Sequence, residues 1–186
     1  MALSRPLYDL LGSYLMQLYS NPIRTKSITS CVIATSGNLV AQYISGTKFI
    51  NQDSLIAYGL YGLFFGGTIP HYFYMYIERL VPKTVTGAVF IKILIERLLY
   101  SPLNSAFSLY MLARLEGKSH NEAIRQLKIL YLPILQASWK YLTIIHILNF
   151  SVVPPMFRVL ITNLVGFFWV IYLANKRNRR QQEKSK

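Results

Sequence analysis

Residues 54–77 read SLIAYGLYGLFFGGTIPHYFYMYI, which is 24 consecutive positions without Asp, Glu, Lys or Arg. About 20 mostly apolar residues are enough for an α-helix to cross the hydrocarbon core of a bilayer. Working outward from this stretch, charge-free runs recur at 27–47 (21 residues), 98–113 (16), 141–157 (17) and 159–175 (17). The run at 27–47 is long enough alone. The last reaches span length when counted from Pro155, with Arg158 near one end. The run at 98–113 reaches it by taking in Lys92, Glu96 and Arg97 near its start. The fold class predicted is all-α, a polytopic membrane helical bundle with four transmembrane helices at about 25–45, 54–78, 85–113 and 155–175. Residues 129–150 form a candidate fifth membrane segment, although Pro133 and Lys140 lie within it. Residues 1–175 then make a single membrane domain, and 176–186 a basic hydrophilic tail.

Composition agrees with this reading. Hydrophobic residues make up 53% of the 186 and charged residues only 15%, against roughly 25% charged in an average soluble domain. Disorder is excluded by the apolar content. A disulfide-stapled secreted domain is excluded because Cys31 is the single cysteine. The net charge of +13 would suit a nucleic-acid binder, but that class does not carry so much apolar and aromatic residue. The four-span arrangement places a net +8 on the side of the two termini and +2 on the other, which puts both ends in the cytosol.

Local signals fill in the elements. Leu7, Leu11, Tyr14 and Leu18 recur at helical spacing and predict an N-terminal amphipathic helix that Asn21-Pro22 ends. Ser30, Ala34, Gly37 and Ala41 place small residues on one face of the first span, where another helix can approach closely. Pro70 is expected to kink the second span and Pro102 to interrupt the third. Ser119 followed by Glu122 is a capping box that opens a helix around Ala123–Lys128.

Ionisable and amide groups at membrane depth are costly and mark candidate functional positions. The candidates for lining a wet path are Asn38, Gln42, His71, Lys92, Glu96, Arg97, Asn104, His146, Asn149 and Arg158. Asn38 and Gln42 are four apart and share a helix face, as do Lys92 and Glu96, which can pair. Positive charge in such a path, from Lys92, Arg97 or Arg158, would favour anionic solutes such as carboxylates. The opposing reading is structural, with ion pairs and amides that only hold helices together. An enzyme is not expected. His71, His120 and His146 show no metal-ligand spacing, and no GxSxG, GxGxxG or Walker motif occurs, so neither a metal nor another cofactor is implied. In the tail, Lys176, Arg177, Arg179 and Arg180 suit contact with anionic lipid headgroups or recognition by a targeting receptor. Nothing around them reads nucleic acid.

Several blocks occur in a fixed order along nearly the whole chain. They are Tyr14 and Leu18 with Pro22 and Thr25-Lys26; Gly37-Asn38-Leu39-Val40-Ala41-Gln42; and Gly67 with Pro70-His71-Tyr72-Phe73-Tyr74. Lys92, Glu96-Arg97 and Pro102 follow, then Trp139, Asn149-Phe150, Val153-Pro154 and Arg158, and finally Trp169, Tyr172 and Leu173. Together they resemble the 22 kDa peroxisomal membrane protein family, which also has an inner-mitochondrial branch. The chain departs from the family pattern at Asn38, where Asp is frequent, at Thr68, where Pro is frequent, and at Glu96-Arg97, usually Asp-Gln. The resemblance implies a four-span helical protein of an organelle membrane. Its channel-forming branch implies passive, weakly selective diffusion of small hydrophilic solutes through a homo-oligomer in the peroxisomal membrane, and for such a membrane the receptor that the basic tail suits is a peroxisomal import receptor. The alternatives are a mitochondrial inner-membrane role in metabolite homeostasis and a non-conducting membrane scaffold.

Overall fold

The computed structural model describes residues 4–46, 49–169 and 171. Lys176, Arg177, Arg179 and Arg180 lie outside the described residues. Among the described residues the secondary structure is entirely helical. Helix α1 covers Ser4–Ser20 and α2 covers Pro22–Ile44, with Pro22 in the first turn, where its missing N–H leaves no bond unmade. Helix α3 (Gln52–Tyr61) runs through a π-helical turn at Gly62–Gly66 and on past Gly67 into α4 (Thr68–Leu80). Helix α5 (Ala88–Ile95) does the same through a π-helical turn at Glu96–Tyr100 into α6 (Ser101–Leu115). Helix α7 covers His120–Ser151, and a last helix, α8, occupies residues 158–169.

The proline expectations resolve in terms of these turns. Pro102 sits in the first turn of α6 and Pro70 in the first turn of α4, each just beyond a π-helical turn. The wider winding absorbs the hydrogen bond that a proline removes, so the rod continues instead of breaking. The helix opened at 123–128 and the candidate segment at 129–150 form one element: α7 is a single helix of 32 residues with Pro133 inside it. The Ser119 capping box is present. The Ser119 hydroxyl accepts from the Glu122 N–H at 3.3 Å, and Glu122 Oε2 accepts from the Ser119 N–H at 2.8 Å. These bonds hold the exposed Glu122 carboxyl below its usual pKa.

No helix among the described residues is long and apolar enough to cross a membrane. Two of the expected spans are divided at their π-helical turns, so no undivided piece within them exceeds the 15 residues of α6. Helix α2 has the length, at 23 residues, but carries Arg24, Lys26 and a run of Ser, Thr, Asn and Gln.

Glycine decides how closely the rods pack. A Cβ on Gly62 would lie 2.6 Å from the Ser30 carbonyl oxygen, and one on Gly67 would lie 2.5 Å from the Ser27 backbone nitrogen. The α3–α4 rod therefore touches the backbone of α2, against the small-residue face that holds Ser30. The apolar core gathers where α4, α7 and α8 meet, at Tyr74, Ile77, Phe150 and Val159, with Val89 and Ile93 of α5 packed against it. Phe73 stacks on Tyr100 at 3.9 Å between ring centroids, tying α4 to the second π-helical turn.

The distribution of polarity is inverted relative to a water-soluble protein. Lys92 and Glu96 are each 2% exposed, while Phe90 and Leu98 beside them are 66% and 65% exposed. Phe64, Leu103, Ile144 and Phe168 extend this exposed apolar surface over four further helical segments. Soluble monomers rarely show contiguous apolar surface on this scale.

Candidate functional site: a polar cavity along the bundle

A partly open cavity of about 590 Å³, walled by apolar side chains interspersed with hydroxyls, amides and carboxylates, runs between α2, α3, α6, α7 and α8. Its wall follows helical spacing. Ser30, Ala34, Asn38 and Gln42 recur at every fourth position of α2, and Ser101, Ser105, Ser108 and Leu112 do nearly the same on α6, with Glu116 just past its end. Wall residues on the α5–α6 rod extend from Glu96 to Glu116, a distance of about 30 Å at the rise of an α-helix.

A hydrogen-bonded chain lies at one end. Gln42 Nε2 donates to Asn38 Oδ1 (2.7 Å), Asn38 Nδ2 to Ser54 Oγ (3.2 Å), and Ser54 Oγ to Glu116 Oε1 (3.1 Å). Lys118 Nζ then binds both Glu116 Oε2 (2.5 Å) and Gln126 Oε1 (3.0 Å). Partway along, Tyr61 and Ser108 share a hydrogen bond of 2.5 Å, and Asn163 Nδ2 donates to Ser30 Oγ at 2.5 Å.

The other end is formed by Glu96, His146 and Asn149, which are 2%, 8% and 1% exposed. Glu96 Oε2 lies 2.6 Å from Arg97 Nε, and Glu96 Oε1 lies 3.7 Å from His146 Nδ1. Asn149 Nδ2 donates to Tyr74 Oη (3.3 Å), to the Arg158 carbonyl (3.4 Å) and to Thr162 Oγ1 (3.3 Å). Asn149 Oδ1, His146 Nδ1 and Arg97 Nη2 are buried without a hydrogen-bond partner, and Arg97 Nε and Glu96 Oε2 meet only as an ion pair. An unmatched buried polar atom costs roughly 1–3 kcal/mol.

Of the candidates read from the sequence, the structure brings Asn38, Gln42, Glu96, Asn104, His146 and Asn149 to the cavity wall. His71, Lys92, Arg97 and Arg158 are not on it. His71 Nδ1 is 3.0 Å from Lys26 Nζ, on the α2–α4 contact. Lys92 does not pair with Glu96 along its own helix. It reaches across to Glu78 Oε1 at 2.6 Å, and Arg158 Nη1 binds the same oxygen. Arg158 Nε also donates to the carbonyls of Asn149 and Val153, both at 3.2 Å. Arg97 is turned toward Glu96 and donates to the Ser138 carbonyl at 3.2 Å. The three cations expected to favour anionic solutes thus each meet a carboxylate, because burying them unpaired would be far costlier, but Lys92 and Arg158 share Glu78 and the set keeps one positive charge.

Sequence reasoning missed Glu78, Glu116, Tyr61 and Ser138. Glu78 ends the long apolar stretch and reads as a loop boundary. Its partners lie 14 and 80 positions away, so no local spacing could reveal them. Glu116 reads as part of a polar loop. Tyr61 and Ser138 carried only their helical register as a signal.

Comparison with known proteins supplies the lineage. Residues 113–174 match the Mpv17 / PMP22 family. Peroxisomal membrane protein 2 of Bos taurus is 32% identical over 89% of this chain and 88% of its own. Peroxisomal membrane protein PMP22 of Arabidopsis thaliana is 31% identical over 94% and 93%. Mitochondrial inner membrane protein Mpv17 of Caenorhabditis briggsae is 24% identical over 90% and 93%. No solved structure matches the chain. The chain belongs to the Mpv17 / PMP22 family.

Proposed function

We propose that this chain is a multi-pass protein of the peroxisomal membrane that forms a passive, weakly selective route for small water-soluble metabolites. The observation that carries the reading is a cavity whose wall includes buried hydroxyl, amide and carboxylate side chains, inside a bundle that exposes many large apolar side chains. The helical rods at 52–80 and 88–115 serve as whole spans, each continuous through its π-helical turn. With α2 and α8, the described part of the last predicted span, they make four crossings, and the exposed apolar side chains face lipid. Solutes move down their gradients, since the chain carries no nucleotide-binding motif to couple energy. It works as a homo-oligomer, and the basic tail binds lipid headgroups or an import receptor. Transport rather than turnover is the role proposed for the cavity.

The peroxisomal assignment is supported by the names of the relatives above 30% identity, against 24% for the mitochondrial one. Imaging in cells with an N-terminal fluorescent tag, which leaves the tail free, distinguishes the two compartments. Planar-bilayer recording of purified, folded protein tests the pore. Discrete conductance above background is expected. A silent bilayer would leave the scaffold reading in its place.

A further inference from the structure

We propose that Lys26 and His71, where α2 meets α4, form a binding site for a phosphate oxyanion of the kind an anionic phospholipid headgroup carries. Only the lipid as its source rests on the membrane reading above, and the site does not depend on a pore.

Among the described residues, Lys26, Lys92, Arg97 and Arg158 are basic side chains more than nine-tenths buried. The last three each meet a carboxylate. Lys26 is 6% exposed and meets no carboxylate among the described residues; its partner is His71 Nδ1 at 3.0 Å. An ammonium has only hydrogens to give, so Nδ1 accepts and the neutral ring carries its proton on Nε2. Two N–H bonds of Lys26 and the Nε2–H of His71 are then left without an acceptor among the described residues. The pair is a set of donors with a positive charge and no counter-charge, and a buried charge in that condition strongly favours a counter-ion.

The placement lets one arrive. Lys26 lies one turn into α2, and its side chain leans toward the start of that helix. His71 lies one turn beyond Gly67, whose close approach sets α4 against the α2 backbone at Ser27. Arg24 and Tyr72, neighbours of the pair in sequence, are exposed, and His71 itself is half-buried. A lysine extended toward a helix end in this way keeps its stem in apolar surroundings and offers its amine at headgroup level. A phosphate presents several acceptor oxygens to donors from two helices, and lysine is a common phosphate ligand.

The test uses the full chain in dodecyl maltoside. Thermal unfolding is followed as phosphatidic acid, phosphatidylcholine or inorganic phosphate is added. Phosphatidic acid is expected to raise the midpoint through a saturable component that phosphatidylcholine does not give. Lys26→Met should weaken that component roughly tenfold or more, as loss of a hydrogen bond from a charged group does. Without lipid the same variant should be at least as stable as the unsubstituted protein, because it removes an uncompensated buried charge. A lysine that only holds the helices together would lose stability with and without lipid, and that result would overturn the site. His71→Glu gives Lys26 a carboxylate of its own and should abolish the component with the fold intact; it decides the matter if Lys26→Met does not fold. A shift with inorganic phosphate that both substitutions remove upholds the site and assigns it to the free ion. An equal phosphatidic acid response in the unsubstituted protein and in either folded variant would overturn the site, whether or not the protein conducts. No response of the unsubstituted protein to either phosphate source would overturn it as well.

Discussion

Lys92 and Arg158 enter the bundle from different helices, and both end on Glu78 Oε1. The two cations are 2% and 1% exposed, so this one carboxylate compensates charges that water cannot reach. Removing one partner of a buried pair typically costs about 3–5 kcal/mol, much of it from the charge left alone. Glu78→Gln strands two, and is expected to lower stability by at least that range, read as a large drop in the thermal midpoint in detergent. At this scale the sequence marks which residues are expensive to bury, because a Lys or Arg inside an apolar run is conspicuous by itself. It does not mark their partners. Lys92 has Glu96 four residues away and still pairs with Glu78, because the position of Glu78 depends on how α4, α5 and α8 meet.

The elements depend on two departures from regular winding. The π-helical turns at 62–66 and 96–100 each precede a proline by a few residues and allow the rods to continue through it. One brings Gly62, and Gly67 just beyond it, onto the backbone of α2. The other holds Glu96 and Arg97, both buried. Gly67→Ala places a methyl group against immovable backbone, and overpacking of this kind costs about 1–3 kcal/mol. Gly12→Ala meets nothing within 4 Å and should instead gain a few tenths to about 1 kcal/mol from helix propensity. Thermal unfolding of the two variants should therefore shift in opposite directions. Helix positions were legible from charge-free runs, proline placement and the Ser119 cap, all of which are local. The π-helical turns were not, since nothing in GLFFG or ERLLY separates them from ordinary helix. They arise where a rod must fit its neighbours.

For the molecule as a whole, passage depends on one continuous space, and Gly166 tests it. Gly166 lines the cavity, and a Cβ there would meet no atom within 4 Å. Gly166→Leu should fold with near-normal stability yet narrow the route, lowering single-channel conductance in planar bilayers. An unchanged conductance would place the route elsewhere, such as between subunits.

The amino-acid order alone settled that this chain is helical, that its apolar runs approach membrane length, and which polar residues are anomalous there. Each of these follows from neighbours within a turn or two of helix. Which polar residues share a cavity, which cations are neutralised and which acceptors remain unmatched were decided by packing. Those relations join positions up to 133 residues apart, as Asn163 and Ser30 are. The sign of the route illustrates the difference. Lys92, Arg97 and Arg158 suggest a basic lumen when read in sequence. In the folded bundle all three basic heads lie off the cavity wall and meet carboxylates, two of them sharing Glu78, because an unpaired buried charge is too costly to keep.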